Sequence, residues 1–531
     1  MAQPAVDTDV VVVGAGPTGL MLAGELRLGG ARVVVLERLA EPTGQSRGLG
    51  FTARAMEVFD QRGLLPRFGR GGTLDVSPVG HFGGVQFDYT ALEDGHFGAR
   101  GIPQNETEAV LESWARERGA EIRRGWEVTE LADGFLDGDA VEVLAETPEG
   151  PRRLRAAYLV GCDGGQSRVR RLADFAFPGA PATRAMYLAD VVGCGLKPRF
   201  LGERLPHGMV MAAPLKEGVD RIIVCPHGTP ARERDDDVGY AEVAAAWQRI
   251  TGEDISGGSA EWVSSFSDAA RLVTEYRRGR VLLAGDAAHI HLPAGGQGLS
   301  TGVQDAVNLG WKLAAEVTGR APAGLLDTYH GERHPVGERL LTNTRAQGLV
   351  FLGGEQSDPL RAVFAELIEH DVVKRHLAGI VSHLDIGYDM NGTGTGAGGA
   401  AAGADVTDAT DAADAGEPAA GAHPLLGRRL AKRPLTGAAG ETDTFCLLHP
   451  ARGVLLDLAD SAALREASAG WSARVDTVTA AAKPVAGATD VLAGLDAALV
   501  RPDGHVAWTS DGSPRGLDAA LSRWFGAGRA A

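Results

Sequence analysis

The chain has 531 residues, 44% hydrophobic and 23% charged, which excludes a mainly disordered or fibrous protein. At ~150 residues per domain it has room for roughly two to four domains. Its formal charge is −17, from 69 acidic and 52 basic side chains, so nucleic acid and anionic membrane are poor default partners.

At the N-terminus there is no basic n-region, so no signal peptide is expected. No uncharged apolar run approaches the ~20 residues of a membrane span. The cysteines Cys162, Cys194, Cys225 and Cys446 lie far apart with no Cys-x-x-Cys, which argues against a disulfide framework or a dithiol redox pair. These features together predict a cytoplasmic, reduced protein.

Residues 9–13, Asp-Val-Val-Val-Val, predict a strand buried on both faces. Gly14-Ala-Gly16-Pro17-Thr18-Gly19 follows, then a helical pattern through Leu22, Ala23 and Leu26, a stop at Gly29-Gly30, and a second strand over 32–36 ending at Glu37. In such a unit Gly14 permits the tight turn, Gly16 lets backbone approach a pyrophosphate, and Gly19 allows close helix–strand packing. The helix N-terminus attracts the phosphates, and Glu37 can accept from a ribose 2′-OH. This context predicts dinucleotide binding, with the acid favouring FAD or NAD over NADP. A second match, Gly394 to Gly399, has no strand before it and reads as composition alone.

Residues 76–90 and 183–266 hold short apolar runs bounded by Gly and Pro and predict a hairpin and a sheet wall. Residues 158–163 and 280–286 are further apolar strands, delivering Asp163 and Asp286 at their C-terminal ends, the edge where open α/β sheets bind ligands. A carboxylate there can hold a polyol such as ribitol, which NAD lacks. His289-Ile-His291-Leu-Pro293-Ala-Gly295-Gly296-Gln-Gly298-Leu299-Ser300 would let backbone approach a flat ring. An amphipathic helix follows, with Leu299, Val303, Val307, Trp311 and Ala314 on its apolar face. Its N-terminus would stabilise negative charge on a reduced flavin.

The chain resembles the class A flavoprotein aromatic hydroxylases, the para-hydroxybenzoate hydroxylase superfamily, and within them the angucycline-type aromatic polyketide hydroxylases. The resemblance rests on the Gly14–Gly19 loop with Glu37-Arg38, on Ser46-Arg47-Gly48-Leu49-Gly50-Phe51 through Arg54 and Glu57, and on Gly161-Cys162-Asp163-Gly164. It is completed by Gly285-Asp286, and by Pro293 through Gly298 with Asp305-Ala306-Val307-Asn308-Leu309.

The resemblance implies that Glu37 binds the adenosine ribose, that Arg47 and Gln104 contact the flavin part of FAD, and that Asp286 holds the ribityl. It also implies that backbone from Pro293 to Ser300 borders the isoalloxazine and that the Asp163-Gly164 turn is shared between FAD and NAD(P)H. The family often has Asn at position 300, where this chain has Ser.

The implied activity is NADPH- and O2-dependent monooxygenation of a polycyclic aromatic polyketide through a C4a-hydroperoxyflavin. A flavin reductase or oxidase, a Baeyer–Villiger oxygenase and a non-catalytic binding protein are the alternatives. The chemistry belongs to the flavin, so no protein nucleophile or general base is nominated.

The fold class is α/β, a Rossmann-like FAD-binding domain with an inserted mixed β-sheet substrate domain and a C-terminal thioredoxin-like domain. The FAD-binding domain is expected over 1–75, 100–180 and 270–390, and the β-rich domain over 76–99 and 181–269. Residues 391–422, almost all Gly, Ala, Thr and Asp, read as a flexible linker or insertion. Residues 423–531, without Cys-x-x-Cys, are expected to be structural or an association surface, a homodimer included.

Three patterns are decoys. Gly44-Gln-Ser46-Arg-Gly48 matches a nucleophile elbow but has no strand before it. His289 and His291 lack partners at a zinc spacing and read as lining or bracing the flavin loop, so no metal is expected. Arg168, Arg170 and Arg171 read most simply as solvating a helix face, with attraction of NADPH phosphates as the alternative.

Overall fold

The computed structural model describes residues 6–68, 79–92, 97–232, 238–390, 423–438, 440–484, 490–510 and 513–529. The expected linker at 391–422 and the Gly394–Gly399 match lie outside the described residues.

The β-branched run forms the strand Thr8–Val13, paired in parallel with Val33–Glu37 on one side and Arg152–Gly161 on the other. Glu121–Arg124 extends the sheet beyond the first neighbour and Val281–Leu283 beyond the second, also in parallel. Val10, Val12, Val35, Leu282 and Leu283 are fully buried, as expected where helices cover both faces. On one face the helix Pro17–Leu28 packs so tightly on Gln104–Glu117 that a Cβ at Gly24 would lie 1.9 Å from the Trp114 ring. The C-terminal ends of four parallel strands, at Val13, Glu37, Gly161 and Leu283, therefore meet at one edge of the sheet.

Residues 185–267 supply a five-stranded antiparallel sheet in the order Arg199–Leu205, Gly208–Lys216, Val219–Pro226, Ala185–Val192, Ser259–Ser267. Tyr187, Val210, Ile222 and Val224 on one face pack on Val243 and Trp247 of the helix Tyr240–Thr251. By the two-residue alternation of strands, the other face carries Met186, Met209, Met211, Ile223 and Cys225. That face meets Leu292, Ala294, Phe351 and Leu352 of the first body. The short hairpin Val79–Phe82/Val85–Asp88 packs separately, against Leu377, Ala378 and Val381.

The C-terminal strands form a six-stranded mixed sheet flanked by Ala462–Ser468 and Leu517–Phe525. Trp311 and Leu325 of the first body join Trp471, Leu517, Trp524 and Phe525 in one apolar cluster, so the C-terminal sheet is docked through a shared core.

The helix after the third motif, Gln297–Val317, is buried on its polar side as well, at Gln304, Asp305, Asn308 and Lys312. Gln304 and Asp305 are covered within the first body by His383 and Arg333, while the C-terminal domain reaches Asn308 through Asp503 and, across Glu332, Lys312 through Arg501. Arg501 forks Glu332 and Asp503, while Lys312 Nζ donates to Glu332 (2.8 Å) and to Asn308 Oδ1 (2.8 Å). A second seam holds Glu57 between Arg54 and Arg429, and a third pairs Glu25 with Arg62, whose guanidinium also donates to the Leu448 and Pro502 carbonyls. Among the described residues no helix is long and apolar enough to cross a membrane.

Candidate active site

The first strand delivers the glycine loop to the edge of the sheet. Gly14 has φ +104°, and a Cβ there would lie 2.5 Å from the Cys162 carbonyl oxygen of the adjacent strand. A Cβ on Gly19 would lie 2.0 Å from the Gly14 carbonyl oxygen. Gly16 is different: nothing stands within 4 Å of its Cβ direction. Two of the glycines thus answer to packing within the protein, and the third faces open space at the N-terminus of a helix.

That helix begins at Pro17 with Gly16 as its cap and no side chain on its first-turn N–H groups, leaving them for an anion. Thr18 is wedged beside Gly285 and Gly302, where a Cβ would approach its Oγ1 to 2.7 Å and 2.3 Å. Glu37 Oε2 accepts from the Ala15 N–H (2.8 Å) and Oε1 from the Leu39 N–H (2.9 Å). The carboxylate is thereby fixed beside the loop and half-buried, with about two of its four lone-pair positions left for a ribose hydroxyl. Arg38 is exposed.

A second segment, residues 46–52, crosses the crevice. Ser46 Oγ accepts from the Gln104 N–H (2.8 Å) and donates to the Gly48 carbonyl (2.6 Å), so the pseudo-elbow serine is a buried brace. Gln104 Oε1 accepts from the Gly48 N–H (3.2 Å) and its Nε2 donates to Glu108 (2.8 Å). A Cβ at Gly48 would meet Leu299 at 2.2 Å, so this segment runs directly against the third motif. Ser300, fully buried, accepts the Thr52 N–H (2.9 Å). Its side chain ties the segment to the helix, which leaves only its backbone for a ligand. Arg47 between these anchors is exposed.

The third motif closes the crevice. Asp286 is accessible yet lies deep between protein walls; the loss of solvent pushes its carboxyl up, against the opposing pull of His289 and Arg47. Gly295 and Gly296 sit at φ +71° and +66°, turning the chain into the helix that starts at Gln297, again with a glycine cap and no side chain on the first turn. Pro293 and Gly296 are exposed to the crevice, and Gly298 and Leu299 are half-exposed. Two uncapped helix N-termini and the Asp286 carboxylate therefore share one groove. The donors suit a pyrophosphate and an electron-rich ring edge, and the acceptor suits a polyol.

His291 lies beside Gly298 with Nδ1 on the Leu292 carbonyl (2.7 Å), and burial pushes it down to about 4. It is neutral at ordinary pH.

Asp163 is engaged within the protein itself. Its carboxylate accepts from the Ser167 hydroxyl and from the Arg168 (2.6 Å) and Val169 (3.1 Å) N–H groups, capping the short helix Arg168–Leu172. Of the basic run, Arg171 is exposed and Arg168 partly so, as on a solvated face, and only Arg170 departs from that reading. Arg170 is buried, lies 3.9 Å over Phe177 and donates to the Ala287 carbonyl, while Arg168 pairs with Glu127.

Several residues near the site had no role in the sequence reading. Asp305 is fully buried and accepts from the Gly285 N–H (3.0 Å) and Arg333 Nε (2.6 Å), with His289 Nε2 at 2.9 Å. It holds the turn that presents Asp286. Gln297, Gln304, Asn343, Gln347 and His383 form a buried amide–imidazole network behind the loop. Asp305 stood inside a quoted motif. His383 had no signal, because its partners are distant in the chain.

Residues 7–344 match the FAD binding domain family, and residues 423–528 match the C-terminal domain of aromatic-ring hydroxylases. The chain is 42% identical to the 12-dehydrotetracycline 5-monooxygenase/anhydrotetracycline 6-monooxygenase of Streptomyces rimosus, covering 98% of this chain and 99% of that one. It is 40% identical to a rifampicin monooxygenase of Streptomyces venezuelae over 98% of this chain and 99% of the other. Among solved structures it is similar to CabE, an aromatic hydroxylase from angucycline biosynthesis, with a TM-score of 0.89 and 58% identity over 98% of this chain and all of that one. By these matches along nearly its whole length, the chain belongs to the FAD-dependent aromatic-ring hydroxylases and is a flavoprotein monooxygenase.

Proposed function

We propose that the protein hydroxylates a polycyclic aromatic polyketide of angucycline or tetracycline type, using NADPH and O2. FAD would lie along the crevice, with its pyrophosphate at Gly14, Gly16, Pro17, Thr18 and Gly19, and its adenosine ribose at Glu37 beside Arg38. Asp286 would hold the ribityl, with Asp163 reaching the site only through its turn. Arg47, Gln104 and the backbone of Pro293, Gly296, Gly298, Leu299 and Ser300 would border the ring. Held there, FAD would supply the redox chemistry that links NADPH and O2 to the substrate.

The protein's part is to place one ring against another and keep water out. The observation that carries this reading is the apolar face that the antiparallel sheet turns toward the third motif. Leu292 and Ala294 pack with Met186, Met209 and Cys225, while Met211, Ile223 and Phe266 remain half-exposed beside them. Along the strand Val219–Pro226, this face runs from Cys225 past Ile223 to Arg221, about 13 Å at ~3.3 Å per residue. Such a strip accommodates several fused rings. At its far end Arg221 forks Asp190 (2.6 and 2.7 Å), giving the strip one polar terminus.

The test uses the purified protein and a panel of polycyclic aromatic polyketides. A substrate must accelerate NADPH oxidation and acquire one labelled oxygen atom from isotopically labelled O2. A reductase or oxidase would consume NADPH or O2 without labelling the aromatic product. The variant Ile223→Trp crowds that face without touching the crevice. It is expected to keep bound FAD and to lose substrate-stimulated NADPH oxidation by at least about tenfold, the equivalent of roughly 1.4 kcal/mol of binding. Wild-type stimulation in this variant would place the substrate elsewhere.

A further inference from the structure

Behind the third motif, a histidine from a distant helix end is held in one tautomer by two glutamines. His383 follows the helix Asp371–Ser382 at φ +63°, and its ring is buried beneath Gln297 and Gln304. Gln304 Nε2 lies 2.9 Å from His383 Nδ1 and also donates to the Ser300 carbonyl (3.1 Å). An amide nitrogen can only donate, so Nδ1 is the acceptor. The other ring nitrogen, Nε2, must then carry the proton and donate to Gln297 Oε1 at 3.2 Å.

Gln297 is the first residue of the helix that ends the glycine loop. Its Oε1 also accepts from Asn343 Nδ2 (2.9 Å), and its Nε2 donates back to the Ala294 carbonyl inside the loop (3.1 Å). Asn343 Oδ1 accepts from Gln347 Nε2 (3.2 Å), and Gln347 Oε1 accepts from the Gly83 N–H (3.2 Å). A Cβ on Gly295 would lie 3.6 Å from the same Gln347 oxygen. The path from His383 thus reaches both the loop and the hairpin Val79–Phe82/Val85–Asp88.

We propose that His383 is the positioning residue of the flavin-facing loop: as the Nε2–H imidazole it orients Gln297, which sets the backbone of 294–298 toward the isoalloxazine. This rests on placing the flavin ring at that loop. Gln297, Gln304, Asn343, Gln347 and His383 are all at most 7% exposed, so a partner removed from the network is not replaced by bulk water.

The ring must also stay neutral, because a proton on Nδ1 would face the Gln304 amide hydrogens. The surroundings enforce this: burial, Arg333, Arg339 and His291 push His383 down to about 3, with Asp305 opposing them. The network therefore does not switch between pH 5 and 8, and a pH-independent loop is expected across that range.

The test compares His383→Asn with His383→Gln. Asn tolerates the left-handed backbone, so strain at φ +63° is not introduced, but its amide is too short to reach both glutamines. Gln can offer N–H to Gln297 and a carbonyl to Gln304, in the wild-type donor–acceptor order.

In the apoprotein, amide exchange of residues 293–304 is expected to accelerate by about tenfold in His383→Asn and to recover in His383→Gln. FAD affinity is expected to fall by about tenfold in His383→Asn, with a shifted flavin absorption band. Wild-type protection in His383→Asn would overturn the role of His383. Lost protection with unchanged FAD affinity would overturn the placement of the ring at this loop, and with it the role toward the flavin.

Discussion

Replacing Arg501 by Met is expected to destabilise the protein by about 3–5 kcal/mol, the cost of leaving a buried charge without its partner. Arg501 is fully buried, forks Glu332 (2.6 and 2.8 Å) and Asp503, and lies 4.4 Å over the Trp524 ring. Burial by itself would push the Glu332 carboxyl up, but Arg501 and Lys312 outweigh it and hold the group at about 2, against an ordinary 4.5. A carboxyl with a depressed folded-state pKa contributes stability that is complete above pH 4.5 and lost as pH falls toward 2.

Thermal unfolding from pH 7 to pH 2 should therefore show a steep acid loss in the wild type. Arg501→Met should start lower at pH 7 and lose less across the window from 4.5 to 2. A matching change on the surface, Arg67→Met against Glu117, removes a pair whose side chains are 37% and 50% exposed. It should cost at most ~1 kcal/mol. Equal stability losses in the two variants would show that the buried seam does not hold the C-terminal domain in place.

The seam also marks where sequence reading stopped. The strand–turn–helix unit at 8–28 was legible because its signals are local. A pure β-branched run, three glycines at fixed offsets and an acid at the end of the next strand each restrict the backbone within a few residues. The positions of Asp163 and Asp286 were legible for the same reason, since each follows the end of a parallel strand.

The helix Gln297–Val317 was legible as amphipathic, but not in what its polar side meets. Its polar residues look solvated until Glu332 and Arg501, 20 and 189 positions beyond Lys312, are brought beside them by the fold. Arg170 misled in the same way, since a basic run gives no sign that Phe177 and the Ala287 carbonyl will enclose it. Asp163 and Ser300 carry a subtler lesson. Their motifs imply a ligand contact for both, yet their side chains answer to backbone N–H groups of the protein itself. Motif spacing locates such residues but leaves open which of their atoms face a ligand.

Gly16→Val is expected to abolish FAD binding while leaving the fold intact, and Gly19→Ala to damage the fold itself. Both positions belong to one fingerprint, but the surroundings differ. Gly16 has φ −80° and ψ 179°, a conformation open to any residue, and nothing lies within 4 Å of its Cβ direction. Valine there costs the apoprotein little and projects branched carbons to where the proposed pyrophosphate would sit. FAD affinity should fall by roughly a hundredfold, about 2.8 kcal/mol, with the melting temperature of the apoprotein unchanged.

At Gly19 the added carbon would stand 2.0 Å from the Gly14 carbonyl oxygen and 3.2 Å from the Cys162 Cβ. The nearer obstacle is backbone, so helix and turn must separate. The cost should reach or exceed the upper end of the ~1–3 kcal/mol typical of overpacking. Calorimetry of the two apoproteins, with FAD titration of whichever folds, separates the outcomes. An apoprotein melt lowered by Gly16→Val as much as by Gly19→Ala would mean that Gly16 answers to packing, and the pyrophosphate would then have to be placed elsewhere in the crevice.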